Sequence, residues 1–318
     1  MKRYSNLYKD ICDMDNIMHV YNKICNTIRN PRKRELLRQN KAIYINRVYT
    51  ALNEKTYKVG EYNKFIIHDT KTREIYSQGI EDKIVNHLVA KYILYPSLLP
   101  CLMDINVASR RNMGTALGLA KAKDFRRKCN IKYASYYILK CDIAKFFQNI
   151  DHEILKKKIL TRIKDKDALK IVFDIIDSNH EGLYIGSMTS QVCAIFFLND
   201  LDHFIKEKLK IKYYIRYQDD FLLFHPSKKY LQHCLEEIKG FLKNEKLELN
   251  AKTRLYKNTN NFIFLGRNTS GNYAKYKNIK RKIKLKYNRY NNNSVTLYSF
   301  SSTLIFYKYL CKRNIKYK

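Results

Sequence analysis

Acidic residues are scarce in this chain: 29 Asp and Glu stand against 62 Lys and Arg, a formal charge of +33 over 318 residues. A folded domain with that excess repels itself unless a polyanion lies nearby, so nucleic acid is the leading class of partner. AT-rich coding inflates Lys together with Asn, Ile and Tyr, but it raises Asp and Glu as well and does not account for a twofold imbalance. The eight cysteines contain no C-x-x-C pair, which argues against a zinc or disulfide framework and for reduced thiols in apolar surroundings. No apolar run reaches membrane-spanning length and the N-terminus lacks a signal-peptide core, so a cytoplasmic protein without membrane contact is expected. Repeats and low-complexity linkers are also missing. What is present is a 45% apolar composition, enough for a globular core in one large domain or two to three subdomains.

Residues 1–58 read as basic helices, with Asn30-Pro31 breaking the first from the next. Residues 62–67 and 74–76 read as short strands around a charged turn, and 82–95 as an amphipathic helix ending at Pro96. Residues 136–142 form an apolar strand. A helix starting near Asp151 carries Ile154, Leu155, Ile159 and Ile163, and another spans 190–209. Two β-rich runs, 213–217 and 221–224, are separated only by Gln218-Asp219-Asp220 and read as a hairpin. A helix capped by Ser227 follows, its buried stripe being Leu231, Leu235, Ile238 and Leu242. From about Gly266 the chain is strongly basic and reads as a helical appendage.

Two features of this pattern carry chemistry. Asp142 interrupts an apolar strand, where an unpaired carboxylate costs several kcal/mol or stays protonated. Asp219 and Asp220 are adjacent acids at a hairpin tip, where they repel. Taken singly, the first could cap a turn and the others could sit in a solvated turn. Together, an acid ending one strand and acids on a neighbouring hairpin can converge on a pair of divalent cations. Such a pair activates an attacking 3′-oxygen and stabilises leaving pyrophosphate. Oxygen-only ligands favour Mg²⁺.

Residues 139–152, with Asp142, Phe147 and Asp151, resemble the first catalytic motif of bacterial reverse transcriptases, and Tyr217-Gln218-Asp219-Asp220 matches their Y-x-D-D hairpin. Residues 182–191 stand where that family carries Q-G-x-x-x-S-P, 247–253 and 262–266 match two later palm motifs in order, and 71–75 resembles the fingers motif. The resemblance implies an α+β right-hand polymerase of fingers, palm and short thumb, with an antiparallel palm sheet backed by helices. It divides the chain into a helical N-terminal region (1–58), fingers and the start of the palm (59–135), palm (136–266) and a basic thumb-like tail (267–318). It implies an RNA-directed DNA polymerase acting on an RNA template, an RNA–DNA hybrid and dNTPs, with two Mg²⁺ ions (Mn²⁺ as a substitute).

By position, Asp142 and Asp219 would be the principal metal ligands, with Asp220 the weaker third carboxylate and the Ile143 carbonyl a further ligand. Phe147 stands at the steric gate against a ribose 2′-hydroxyl, or is an ordinary core aromatic. Arg73 and Lys71 would hold the triphosphate, and Ile185, Gly186 and Gln191 would line the nucleotide. Lys252 is a candidate general acid for pyrophosphate, or a solvated surface lysine. Phe264, Leu265 and Gly266 would support the primer end. Arg110, Arg111, Arg126, Arg127 and Lys128, and Lys280, Arg281, Lys282, Lys284 and Lys286 in the tail, are candidate phosphate contacts.

Ile185 replaces the usual Gln, and Gln191 the usual Pro. This I-G-x-x-x-S-Q form, with residues 104–115, resembles the polymerases of diversity-generating retroelements, which misincorporate opposite adenine. An aliphatic Ile185 cannot hydrogen-bond the nucleotide as Gln does, which loosens discrimination. That resemblance also implies a small helical accessory protein forming a basic barrel. Antiphage-defence reverse transcriptases have similar palms, and a non-catalytic RNA-binding scaffold with a polymerase fold is the reading from a different class.

Overall fold

The computed structural model describes residues 3–68, 72–268, 287, 288 and 291. The chain opens with helices α1 (Tyr8–Ile11), α2 (Met14–Thr27), α3 (Pro31–Gln39) and α4 (Lys41–Asn53). The break at Asn30-Pro31 is where the sequence puts it: the Asn30 side chain accepts from Lys33 N–H, and Pro31 stands at the first helical position, where its missing N–H costs nothing. Strands β1 (Asn63–His68) and β2 (Thr72–Ser77) form an antiparallel ribbon; β1 is shifted by one residue from the apolar pattern and β2 is longer than it indicates.

Helix α5 (Ile80–Leu88) does not run on to stop at Pro96. It widens into a π-helical stretch, Val89–Leu94, and continues as α6 (Tyr95–Leu98) with Pro96 in its first turn. A proline there lacks the N–H an α-helix needs and presses its ring on the carbonyl four residues back. The wider π turn accommodates both.

Helix α7 (Thr115–Lys132) leads to β3 (Tyr137–Asp142), and α8 (His152–Leu160), capped by Asp151, and α9 (Lys166–Asp177) follow. The helix expected over 190–209 begins earlier and is broken into α10 (Met188–Phe197) and α11 (Asn199–His203). The break has a partner: the Ile195 carbonyl, which a continuous helix would offer to Asn199 N–H, accepts from Arg216 Nη2 at 3.2 Å. The hairpin β4 (Tyr213–Tyr217) and β5 (Asp220–His225), helix α12 (Lys228–Asn244), β6 (Arg254–Lys257), β7 (Ile263–Phe264) and β8 (Arg267–Asn268) complete the order. Ser227 caps α12 by accepting from Tyr230 N–H. The buried stripe of α12 is Leu231, Cys234, Ile238 and Leu242, so Cys234 takes the core position expected of Leu235, which is half-buried.

The central sheet has strand order β4-β5-β3-β6, all antiparallel. Alternate residues feed two cores. Leu139, Cys141, Tyr214, Phe221 and Leu223 join the large core that includes α8, α9, α10 and α12. Ile138, Ile215, Leu222 and Phe224 face a smaller core with Val107, Ala122 and Cys129, under α7. Helices therefore cover both faces, which explains why these strands read as apolar runs rather than as clean alternation. The seven cysteines among the described residues are free thiols. No described helix is long and apolar enough to cross a membrane. The expected basic tail lies almost wholly outside the described residues.

Candidate active site

Asp142 ends β3 and is the register partner of Asp220, which begins β5. Directly opposed residues of an antiparallel pair project from the same face, so the two carboxylates share one side of the sheet end. Tyr217 pairs with Asp220, leaving Gln218 and Asp219 as a two-residue loop whose first residue has φ +55°. Positive φ is what a tight hairpin needs, and for a non-glycine residue it is a strained conformation of the kind found at functional sites. The Asp219 carbonyl accepts from Ile143 N–H at 3.2 Å, locking the loop to the chain just past Asp142.

The opposite flank is built from residues 248–253. The Asp142 carbonyl accepts from Asn250 N–H (2.6 Å) and the Asp142 N–H donates to Thr253 Oγ1 (3.4 Å). Ala144 N–H donates to Glu248 O (2.9 Å). Lys252 sits in this turn with an exposed side chain, and its N–H is bound to Asn250 Oδ1.

Asp220 is the electrostatic oddity. Burial pushes its carboxyl up to about 6, with Lys140 pulling it down and Asp142 and Asp219 adding to the rise. Lys140 Nζ lies 3.0 Å from Asp220 Oδ1, yet that oxygen is buried with no well-aligned hydrogen bond. Beneath the hairpin lies a fully buried ion pair that reading the sequence missed. Arg216 and Asp202 are both 0% exposed, joined by Nε to Oδ1 (2.7 Å) and Nη2 to Oδ2 (2.5 Å), and Tyr214 donates to the same Oδ1 (2.7 Å). Burial opposes the Arg216 charge and the Asp202 carboxylate outweighs it, so the guanidinium is held protonated. Its Nη1 donates to the Gln218 carbonyl at 3.1 Å, so the pair grips the loop that carries Asp219. The signal was available in an arginine amid the apolar strand YYIRY, but its partner is not visible in a linear pattern.

Phe147 is half-buried in a 3₁₀ turn, Phe146–Asn149, with its ring edge-on to Phe146 at 5.8 Å. Gly182 backs directly onto this turn: it has φ +63°, and a Cβ there would overlap the Phe147 carbonyl oxygen, which accepts from Leu183 N–H at 2.6 Å. Ile185 and Gly186 border the β1–β2 ribbon. The Ile185 carbonyl accepts from Tyr76 N–H (3.3 Å), and Tyr184 stacks on Tyr62 and Tyr76 with ring centroids at 3.9 and 4.6 Å. Arg73 lies on β2 of that ribbon, and Lys71 lies outside the described residues. Gln191 is exposed on the first turns of α10.

Phe264 requires a correction. Its side chain is 0% exposed in the smaller core, so it cannot touch a primer and can only support the turn. Leu265 (φ +48°) and Gly266 (φ +71°) form the two-residue loop of β7–β8, and Leu265 packs against Gly118. Arg110 is spent internally on the carbonyls of Met103 and Asn106, and Arg126 on Asn258 O. Arg127 and Lys128 both pair with Asp124 at 2.8 Å. The tail lysines and Arg281 lie outside the described residues.

Comparison with known proteins gives the family and the fold. The family model described as reverse transcriptase (RNA-dependent DNA polymerase) matches residues 63–269, and the chain belongs to that family. Protein YkfC of Escherichia coli (strain K12) is 24% identical over a match covering 41% of this chain and 46% of that protein. The putative COX1/OXI3 intron 2 protein of Saccharomyces cerevisiae is 25% identical, covering 32% of this chain and 12% of that protein. The chain thus spans less than half the length of these curated relatives. Among solved structures, telomerase from Candida albicans in complex with the TWJ fragment of telomeric RNA superposes with a TM-score of 0.53 at 14% identity, covering 67% of this chain and 44% of that one. Telomerase from Candida tropicalis with the same kind of RNA fragment also gives 0.53 at 14% identity, covering 79% and 53%. The right-hand polymerase fold expected from the sequence is therefore the fold observed.

The family implies divalent metal, and the donor set fits it. All the carboxylates at the sheet end are hard oxygen ligands, and the buried Asp220 Oδ1 already draws a positive charge, the Lys140 ammonium at 3.0 Å. Among the described residues, no three His, Cys, Asp or Glu side chains are already gathered in a metal-ligating group.

Proposed function

We propose that this chain is an RNA-directed DNA polymerase that copies RNA into cDNA by metal-dependent nucleotidyl transfer. The observation that carries the reading is the cross-strand pairing of Asp142 with Asp220 beside the Asp219 loop, in a chain of this family. Asp142 and Asp219 hold the ions, Asp220 and the Ile143 carbonyl assist, and Mg²⁺ is the natural occupant. Two such ions, when bound, activate the attacking 3′-oxygen and stabilise the departing pyrophosphate.

The chain's own groups do the rest. Arg73 and Lys71 receive the triphosphate, and Ile185, Gly186 and Gln191 line the nucleotide. Phe147, braced from behind by Gly182, bars a 2′-hydroxyl. Lys252 protonates the leaving pyrophosphate from the turn that grips Asp142. Leu265 and Gly266 steady the primer end. Residues 59–135, 136–266 and 267–318 serve as fingers with the start of the palm, palm and thumb, after the helical region 1–58. The basic excess holds an RNA–DNA hybrid by its phosphates in the cytoplasm.

Ile185 and Gln191 favour a diversity-generating retroelement polymerase, error-prone at template adenines and aided by a small basic helical protein, over an antiphage-defence enzyme. Primer extension on RNA with Mg²⁺ and dNTPs, followed by sequencing, tests the reading. Asp219→Asn is expected to lower incorporation by about a hundred- to a thousandfold, in the range of other electrostatic deletions at active sites. Unaltered extension by that variant sinks the assignment. Errors spread evenly over the four template bases would remove the retroelement subclass, and RNA binding without any incorporation would favour the scaffold.

A further inference from the structure

Residues 105–107 run along the free edge of β4: Arg216 N–H donates to Ile105 O and Val107 N–H to Arg216 O, both at 3.0 Å, with Asn106 bridging Arg216 in parallel. Asn106 is fully buried, and its Oδ1 accepts from Ala108 N–H at 3.1 Å. The chain then turns, and Ser109 adopts φ +51°, an uncommon conformation for a residue with a side chain. That strain delivers its hydroxyl to the tip of the catalytic hairpin. Gln218 Nε2 donates to Ser109 Oγ at 2.8 Å, and Ser109 Oγ donates to Gln191 Oε1 at 3.3 Å.

We propose that Ser109 is a positioning residue that couples the Y-x-D-D loop to Gln191 and so sets how strictly the site selects the incoming nucleotide. The inference rests on the polymerase reading above. A hydroxyl has one proton, so its donation to Gln191 fixes the order of the relay from loop to helix. The Gln191 carbonyl oxygen is engaged, and its amide N–H groups become the hydrogen-bonding face that this exposed side chain offers to a nucleotide or its template partner. At the other end, Gln218 is held from below through its carbonyl by Arg216, and its own Oε1 is buried without a partner. Gln218 is therefore held at its backbone by Arg216 and at its side-chain amide by Ser109, with a buried acceptor left over beside Asp219. A base pair that displaces Gln191 pulls, through Ser109, on the loop carrying a metal-binding carboxylate. A well-fitting pair does not.

Single-nucleotide insertion kinetics on a primed RNA, with matched and mismatched dNTPs, test this. Ser109→Gly accepts the left-handed backbone without strain and removes the hydroxyl together with its Cβ, while Ser109→Ala removes the hydroxyl alone. The ratio of matched to mismatched kcat/KM is expected to fall about 3- to 10-fold, the factor one neutral hydrogen bond carries. Gln191→Ala, on an exposed side chain that folding does not need, is expected to fall equally. The double variant should show no further loss, because both changes cut the same relay. A merely structural serine would lower matched and mismatched insertion together and add to Gln191→Ala, and either result overturns the proposal. Incorporation by the unaltered chain with unchanged selectivity in Ser109→Gly overturns this inference alone. No incorporation by the unaltered chain overturns the polymerase reading and this inference with it.

Discussion

The two β-hairpins flanking the candidate site are held in opposite ways. In β4–β5, Tyr214, Ile215, Arg216, Phe221, Leu222 and Leu223 are buried to the last ångström, and the ion pair of Arg216 with Asp202 fixes the loop from beneath. In β1–β2, Phe65 and Ile66 are 44% and 53% exposed, and the ribbon meets the palm through the Tyr62, Tyr76 and Tyr184 stack and one backbone bond to Ile185. One hairpin is a rigid mount for carboxylates whose spacing must not drift. The other is attached at its base by ring contacts and a backbone bond. The candidate site is thus asymmetric in stiffness, firm on the β4–β5 side and yielding on the β1–β2 side.

Breaking the firm side should cost most. Arg216→Met leaves Asp202 buried without its partner and is expected to destabilise the chain by about 3–5 kcal/mol, read by urea unfolding. A cost below about 1 kcal/mol would mean that the pair is replaceable and the contrast between the hairpins overstated. Loosening the yielding side should cost less stability and more affinity. Tyr184→Leu removes both ring contacts, worth about 1–2 kcal/mol together, and is expected to raise KM for dNTP several-fold with kcat nearly kept. An equal drop in kcat would show that the ribbon is as much a part of the rigid mount as β4–β5.

The smallest effect is a titration on the helix that follows the ribbon. Burial, helped by Lys83 and Lys23, pushes His87 down to about 4 from an ordinary 6.5. The folded state thus disfavours the imidazolium, while the unfolded chain takes up the proton. Stability is complete above about pH 6.5 and declines as pH falls from there towards 4, by about 1 kcal/mol once partial exposure is discounted. His87→Gln should flatten that slope in thermal melts, and a slope unchanged by the substitution would place its origin elsewhere.

Local signals were legible in the sequence and distant ones were not. Asn30-Pro31, Asp151 and Ser227 announce helix starts because a cap and its N–H partner lie three residues apart. The strand ending at Asp142 and the hairpin at Gln218-Asp219 could be read because apolar runs bounded by acids are a linear pattern. Pro96 misled because the π turn that tolerates it leaves no mark in the sequence. The break at Leu198 coincides with a guanidinium that reaches the Ile195 carbonyl from 21 residues further along the chain. Arg216 with Asp202, Lys140 with Asp220, and Ser109 with Gln191 and Gln218 are meetings of separate elements that no periodicity encodes. The positions of the candidate carboxylates could therefore be read in advance, and the means of holding them could not.

The strand order β4-β5-β3-β6 also has a meaning in time. Asp142 leaves the ribosome long before its partner Asp220, and longer still before Asn250 and Thr253, which grip its backbone from the other edge. During synthesis β3 is an apolar strand with two open edges, covered only when nearly all of the central sheet exists. Pairing of Asp142 with Asp220 is consequently a late and slow event, set by distant contacts rather than neighbouring ones. An interrupted or truncated chain would present a sticky strand with both edges open, so completion of the sheet end arrives together with protection from aggregation.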